Sequence, residues 1–342
     1  MLLALCLGGI CSGMMRFSVL DLCPIIEGGT AADAFKNSLD LAQHAEGWGY
    51  QRFWLAEHHN MPGIASAATS VVIAHIAGGT KTIRIGSGGV MLPNHSPLVI
   101  AEQFGTLASL FPGRIDLGLG RAPGTDVTAA KALRRELLTT DQFPKDVVEL
   151  QTYFRAAQAG QQVRAVPGSG LNVPIWLLGS SLFSAQLAAQ LGLPFAFAAH
   201  FAPADLVPAL KLYRHFFKPS EQLDRPYAMV CITVICSETD GEARRLFTSQ
   251  QQAFLALRRG RPGQLKPPVD DIDAVCSPAE KGLIDQELSC AILGSSLSVR
   301  HGLQDFIADI LPDELMITAN VYEHAARLKS FEMVAGVRNQ LG

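Results

Sequence analysis

The chain has 342 residues, with 28 basic and 31 acidic side chains and a net charge of −3. That balance, with no basic stripe along the chain, excludes a nucleic-acid binder driven by bulk charge. Hydrophobic residues make up 48% and charged residues 17%, which excludes a disordered chain and allows a large core. The cysteines (Cys6, Cys11, Cys23, Cys231, Cys236, Cys276 and Cys290) are odd in number and scattered, with no CxxC pair. Neither a disulfide framework nor a zinc ribbon is indicated, and a reduced, cytoplasmic setting fits.

Residues 1–14 read MLLALCLGGICSGM. The apolar stretch is shorter than the roughly 20 residues that span a bilayer. It also lacks a basic n-region, since the first positive charge is Arg16. We expect an upstream extension outside the fold, with Met14 or Met15 as the natural start and one domain over residues 15–342. A membrane anchor is the rival reading.

From there, short aliphatic runs alternate with helix-period segments. Strands are expected to start near Phe17, Arg52, Ile83, Arg114, Val173, Pro194, Tyr227 and Glu314. Most steps suit one strand and one helix, which take about 30 residues. In the first helix, Asp33 to Ala45, Phe35, Leu39, Ala42 and Ala45 form the expected apolar stripe. Later helices are expected over Ser66–Gly78, Pro97–Phe111, Asp141–Ala157, Ser181–Leu191, Ala204–Phe217, Thr239–Leu257 and His324–Ala335. Thr239 and Glu242 have capping-box spacing. Strand segments such as Ile175-Trp176-Leu177-Leu178 and Val230-Cys231-Ile232-Thr233-Val234 are near-continuous apolar runs, as in parallel strands covered on both faces. Eight such units favour a (β/α)8 TIM barrel over an open doubly wound sheet. Two long gaps mark insertions after strands 4 and 7, at about 124–140 and 257–290. The first follows a strand directly and belongs on the active face. The second follows a strand and its helix, so its sequence position does not fix its face.

In such a barrel the active site is built from strand C-terminal ends. Those ends carry Glu57-His58-His59, Gly88-Gly89, Gly118-Leu119-Gly120-Arg121, Gly179-Ser180-Ser181 and His200-Phe201. A histidine beside a carboxylate suits acid/base work; the alternative is an imidazole that only packs. A metal site is not expected, because the spacing is not HExxH and adjacent strand residues point apart. The Gly118 segment is not a dinucleotide fingerprint, since Pro123 stands where the third glycine belongs. Glycines there still allow close approach of a flat ligand, with Arg121 as a fixed cation. Gly179-Ser180-Ser181 opens a helix with Ser184 one turn on, which reads as an anion site or an ordinary serine cap. With Arg121 on the next strand, a phosphate clamp is the better reading. Met91, Leu92 and Phe201 are expected to line the pocket between these anchors. GxSxG is absent, so a hydrolase elbow is not supported.

Three segments in order, Trp54-Leu55-Ala56-Glu57-His58-His59, Gly86-Ser87-Gly88-Gly89-Val90-Met91-Leu92-Pro93 and Gly113-Arg114-Ile115-Asp116-Leu117-Gly118-Leu119-Gly120-Arg121, resemble the bacterial-luciferase-like flavin monooxygenase family. The resemblance runs over roughly 15–336. It implies an FMN-binding barrel, commonly a dimer, that uses reduced flavin and oxygen on a small organic substrate. His58 is similar to the family's catalytic histidine and Arg121 to its phosphate arginine, with Ser181 and Ser184 in the phosphate loop. Gly88-Gly89 matches a site beneath the flavin that can hold a non-proline cis peptide, and the second insertion matches a mobile loop. Where luminous members carry a reactive cysteine this chain has Gly120, which points to a non-luminous, single-chain branch. No nicotinamide site is evident, so a separate flavin reductase is expected. Deazaflavin-dependent hydride transfer and a non-catalytic flavin carrier are the alternatives.

Overall fold

The structure, a computed structural model, describes residues 14–122, 127–134 and 142–341. Nine parallel strands form it: β1 (Arg16–Asp21), β2 (Arg52–Leu55), β3 (Arg84–Met91), β4 (Ile115–Gly120), β5 (Ile175–Gly179), β6 (Phe195–Ala198), β7 (Ala228–Cys236), β8 (Ile292–Gly294) and β9 (Glu314–Thr318). Successive pairing from β1 to β7, with β9 between β7 and β1, closes a ring of eight. Helices cover its outside, giving the (β/α)8 barrel. Each expected strand begins within a residue or two of its observed start. The ninth, β8, is unforeseen. It pairs with Val234–Cys236 at the far end of β7, beyond the β7 residues that pair with β6 and β9. The second gap thus holds the helix Pro278–Glu287, and β8 and the helix Ser296–Ile310 follow it before β9.

The first helix spans Ala31–Gly47, and its inward face is Ala34, Ser38, Leu41, Ala42 and Ala45. Ala42 and Ala45 are buried as expected, while the first half of the stripe is displaced by one residue, leaving Phe35 and Leu39 only partly buried. Ser38 faces inward because its hydroxyl donates to the buried Asp21 carboxylate at the end of β1. At the helix Asp240–Arg258, Thr239 caps Glu242 N–H as expected. The return half of the box is missing because the Glu242 carboxylate accepts from Arg245 instead. The helix expected from Asp141 runs over Phe143–Phe154.

The core has two compartments. Phe53, Leu55, Ile85, Leu117 and Leu177 point outward against the helices. Inside the barrel lie Leu20, Trp54, Ala56, Trp176, Ala196, Met229, Cys231 and Met316. The two indoles meet edge to face at 5.1 Å, a favoured aromatic arrangement. They need space on β3. A Cβ on Gly86 would come 2.8 Å from Trp54 Nε1, and one on Gly88 would come 2.6 Å from Leu20 Cδ1.

Charged groups plug the N-terminal end of the barrel. Asp116 and Glu314 are both fully buried. Arg52 joins them, with Nη1 2.6 Å from Asp116 Oδ2 and Nε 3.1 Å from Glu314 Oε1. Arg84 Nε and Trp54 Nε1 also donate to Asp116, at 3.0 and 3.2 Å, and Tyr227 Oη donates to Glu314 at 2.8 Å. Removing one partner of such a set strands the other charge without compensation. Asp116→Ala is therefore expected to destabilise the fold by about 3–5 kcal/mol, read as a lower denaturant midpoint. An unchanged midpoint would show that the plug contributes nothing net.

Candidate active site

At the opposite end, the strand termini and their loops surround a cavity of about 1350 Å³. His58, Gly88, Gly89, Arg121, Gly179, Ser180, Ser181 and Ser184 all line it, as do Met91, His200 and Phe201. Leu92 does not. It starts the short turn Leu92–Asn94, which rotates it into the outer core, where it is fully buried.

The second insertion reaches this mouth: Leu257, Pro262, Gly263 and Leu265 are among the lining residues. It is tied to the loop after β1 by Leu265 N–H donating to Ile25 O at 2.9 Å and Glu27 N–H donating to Leu265 O at 2.8 Å. Of the first insertion, residues 123–126 and 135–141 lie outside the described residues. Pro123, Gly124 and part of its charged middle fall there. The described Arg134 and Gln142 line the cavity.

The Gly88–Gly89 peptide is cis. Both positions are closed to side chains by the barrel itself: a Cβ on Gly89 would lie 2.8 Å from Gly118 O, and Gly88 is blocked by Leu20 as above. Gly120 differs. A Cβ there would meet nothing nearer than Val90 O at 3.8 Å, so the space beside it belongs to the cavity.

One wall is suited to an anion. The helix Leu182–Leu191 follows β5 directly, and its N-cap Ser181 is extended and makes no side-chain capping bond. The first-turn N–H groups are thus left without a side-chain cap, the condition for anion binding at a helix start. Ser184 is buried and folds back over β5, where a Cβ on Gly179 would come 2.3 Å from its Oγ. Arg121 ends the neighbouring strand, with its Cζ 4.1 Å from the Phe183 ring centroid. Arg121 and the serine-headed helix start, which the sequence assigns to adjacent strand ends, thus line the same cavity.

The imidazoles occupy another wall. His58 lines the cavity, while His59 turns to Glu57, with Nε2 3.0 Å from Oε1. His95, which sequence reading passed over, brings its Nε2 to 2.7 Å from the same oxygen. The donors of Glu57, His59 and His95 lie within 4.8 Å of one another and could converge on a divalent cation. As they stand, both rings are engaged with one carboxylate oxygen, which satisfies the buried Glu57 without an ion. The signal for His95 was its place just beyond the end of β3, but its partnership with Glu57 spans 38 residues of sequence.

A family model described as luciferase-like monooxygenase matches residues 15–286. A luciferase-like monooxygenase of Escherichia coli (strain K12) is 58% identical over 328 residues, covering 96% of this chain and 98% of its own length. Among solved structures, apo-MsnO8 superposes with a TM-score of 0.88 at 33% identity, over 96% of this chain and 99% of its own. More distant barrels share the fold alone. The oxygenating constituent of 3,6-diketocamphane monooxygenase from Pseudomonas putida, in complex with FMN, has a TM-score of 0.72 at 18% identity and covers 94% of this chain and 97% of its own. An F420-dependent secondary alcohol dehydrogenase has a TM-score of 0.70 at 14% identity and covers 95% and 99%. The three sequence segments, the closed barrel and these matches agree, and the chain belongs to the luciferase-like monooxygenase family.

Proposed function

We propose that this flavin-dependent monooxygenase takes reduced FMN as its cofactor and oxygenates a small organic substrate. The observation that carries this reading is the convergence on one cavity of an arginine, a helix start without a side-chain cap, a floor of Gly88–Gly89 and an imidazole. The residues fit the group. Arg121, Ser180, Ser181, Ser184 and the N–H groups after Gly179 would hold the phosphate, and the open space beside Gly120 would admit a flat ring. Reduced flavin supplies activation of oxygen. The chain's part is to orient it, to exclude water behind the Pro262–Leu265 segment, and to place His58 for proton transfer. A cytoplasmic homodimer served by a separate reductase completes the reading. The five described cysteines are free, which suits a reducing compartment.

Mixing protein and reduced FMN with oxygen is expected to give slow, multiphasic reoxidation in stopped flow. A trace identical to that of free flavin excludes the mechanism. His58→Ala is expected to lower turnover by about 10²-fold with FMN affinity kept. Unchanged turnover would leave a flavin carrier. Parallel titration with F420 separates the deazaflavin alternative, which requires that cofactor to bind and FMN not to.

His200 supports a water-poor inner wall. Its Nδ1 is buried without a partner. Burial pushes its pKa down from 6.5 to about 4, opposed by the Cys231 backbone and assisted by His58. It therefore faces the cavity uncharged at neutral pH. Between those two values the unfolded chain binds more protons than the folded one, so stability present above about pH 6.5 is lost as pH falls toward about 4. His200→Gln is expected to flatten the fall of the urea midpoint across that window. An equal slope in both proteins would refute the assignment.

A further inference from the structure

Four carboxylates are buried among the described residues: Asp21, Glu57, Asp116 and Glu314. Three of them hold an arginine. Arg327 meets Asp21, Arg52 and Arg84 meet Asp116, and Arg52 also meets Glu314. Glu57 is the exception, since its ion-pair partners are the imidazoles of His59 and His95. A guanidinium is charged at every working pH, whereas an imidazole carries charge only when protonated. The two rings satisfy Glu57 Oε1 with hydrogen bonds but bring no fixed cation to a buried anion. The other oxygen has less. Thr69 Oγ1 stands 3.4 Å from Oε2, and its one proton has a nearer acceptor in Ser66 O at 2.8 Å.

We propose that Glu57, His59 and His95 form a binding site for a late first-row divalent cation of the Zn²⁺ class. Two imidazole nitrogens and one carboxylate oxygen are a donor set for such ions, whereas Mg²⁺ and Ca²⁺ take oxygen ligands. Tetrahedral zinc, with bonds of about 2.0–2.2 Å, sets its donors roughly 3.3 Å apart. In the protein the Nε2 atoms of His59 and His95 lie 3.0 and 2.7 Å from Glu57 Oε1, and all three donors are within 4.8 Å of one another. Small rotations of two part-exposed rings therefore suffice to admit the ion. From sequence a metal is unexpected here, because His58 and His59 point apart. Residues two apart in an extended run share a side, however, so Glu57 and His59 face together and the third ligand comes from beyond β3. Glu57 and His95 line the cavity, which gives the ion a way in and a fourth position open to water. A bound ion would tie the loop that carries His58 to the turn that follows the Gly88–Gly89 strand. The site is separate from the proposed phosphate clamp and does not depend on it.

The test titrates tag-free, metal-stripped protein with Zn²⁺ by calorimetry, with Mg²⁺ as the contrast. One Zn²⁺ per chain is expected, with no Mg²⁺ bound. His95→Ala and Glu57→Gln are each expected to weaken Zn²⁺ by at least roughly 10²-fold, the upper loss for a group that only supports a ligand. His324→Ala, in a surface cluster with Asp40 and His44, is expected to leave Zn²⁺ binding unchanged. Co²⁺ in place of Zn²⁺ is expected to show the visible bands of a four- or five-coordinate nitrogen and oxygen site, lost in His95→Ala, whose part-exposed ring can be removed without opening the core. Absence of Zn²⁺ binding, binding that survives His95→Ala, loss in His324→Ala, or a thiolate charge-transfer band with Co²⁺ would each overturn the proposal.

Discussion

The buried ion cluster at the base of the barrel is the constraint on which the rest depends. Asp116 on β4 and Glu314 on β9 lie on opposite sides of the ring, and Arg52 on β2 reaches both. Two carboxylates with no exposure to water are tolerable only when paired and hydrogen-bonded. The positions of β2, β3, β4 and β9 along the barrel axis are thereby coupled to one another. A slip of one residue would turn an inward charge outward and leave its partner stranded. The base is closed in this way, and the cavity of about 1350 Å³ lies at the other end.

Above the plug, the barrel interior is filled unevenly. Trp54 and Trp176 occupy the side between β2 and β5, and the Arg52 guanidinium lies 4.8 Å from the Trp176 ring. The strands between them carry glycine at Gly86, Gly88 and Gly118, and a Cβ at any of these would strike a neighbouring strand or a core side chain. The glycines that floor the cavity are thus required first by the barrel. The bare surface available to a planar ligand is a consequence of close packing in a narrow ring, against Trp54 and Leu20 at Gly88 and against the β4 backbone at Gly89. Gly120, one pleat higher, is free of that demand and faces open space.

The site combines parts of different mechanical character. Arg121, Ser181 and His58 sit at strand termini held by the barrel, as preorganised binding requires. The remaining wall comes from the segment between β7 and β8, which brings Pro262, Gly263 and Leu265 to the cavity and is tied to the loop after β1 by the backbone hydrogen bonds of Leu265. The residues proposed to hold the cofactor therefore belong to the barrel itself, whereas the opposite wall is supplied by an insertion.

The sequence by itself determined the alternation of strands and helices, the closed parallel barrel and the residues at its strand ends. Each follows from local signals: continuous apolar runs, helix spacing, and glycine or serine at the boundaries. It also determined the candidate clamp, because Arg121 and Ser181 are assigned to adjacent strand ends once the barrel order is known. Only the tertiary structure decided what depends on partners distant in the chain. Ser38 turns inward because Asp21 needs a donor, and Leu39 is left only partly buried. The strand β8 forms because the end of β7 has an edge no barrel strand covers. His95 joins Glu57, Leu92 leaves the cavity for the outer core, and Phe183 meets Arg121. Local pattern sets which elements form, whereas a side chain's direction at an element's end is set by whichever distant group most needs its charge, its proton or its volume.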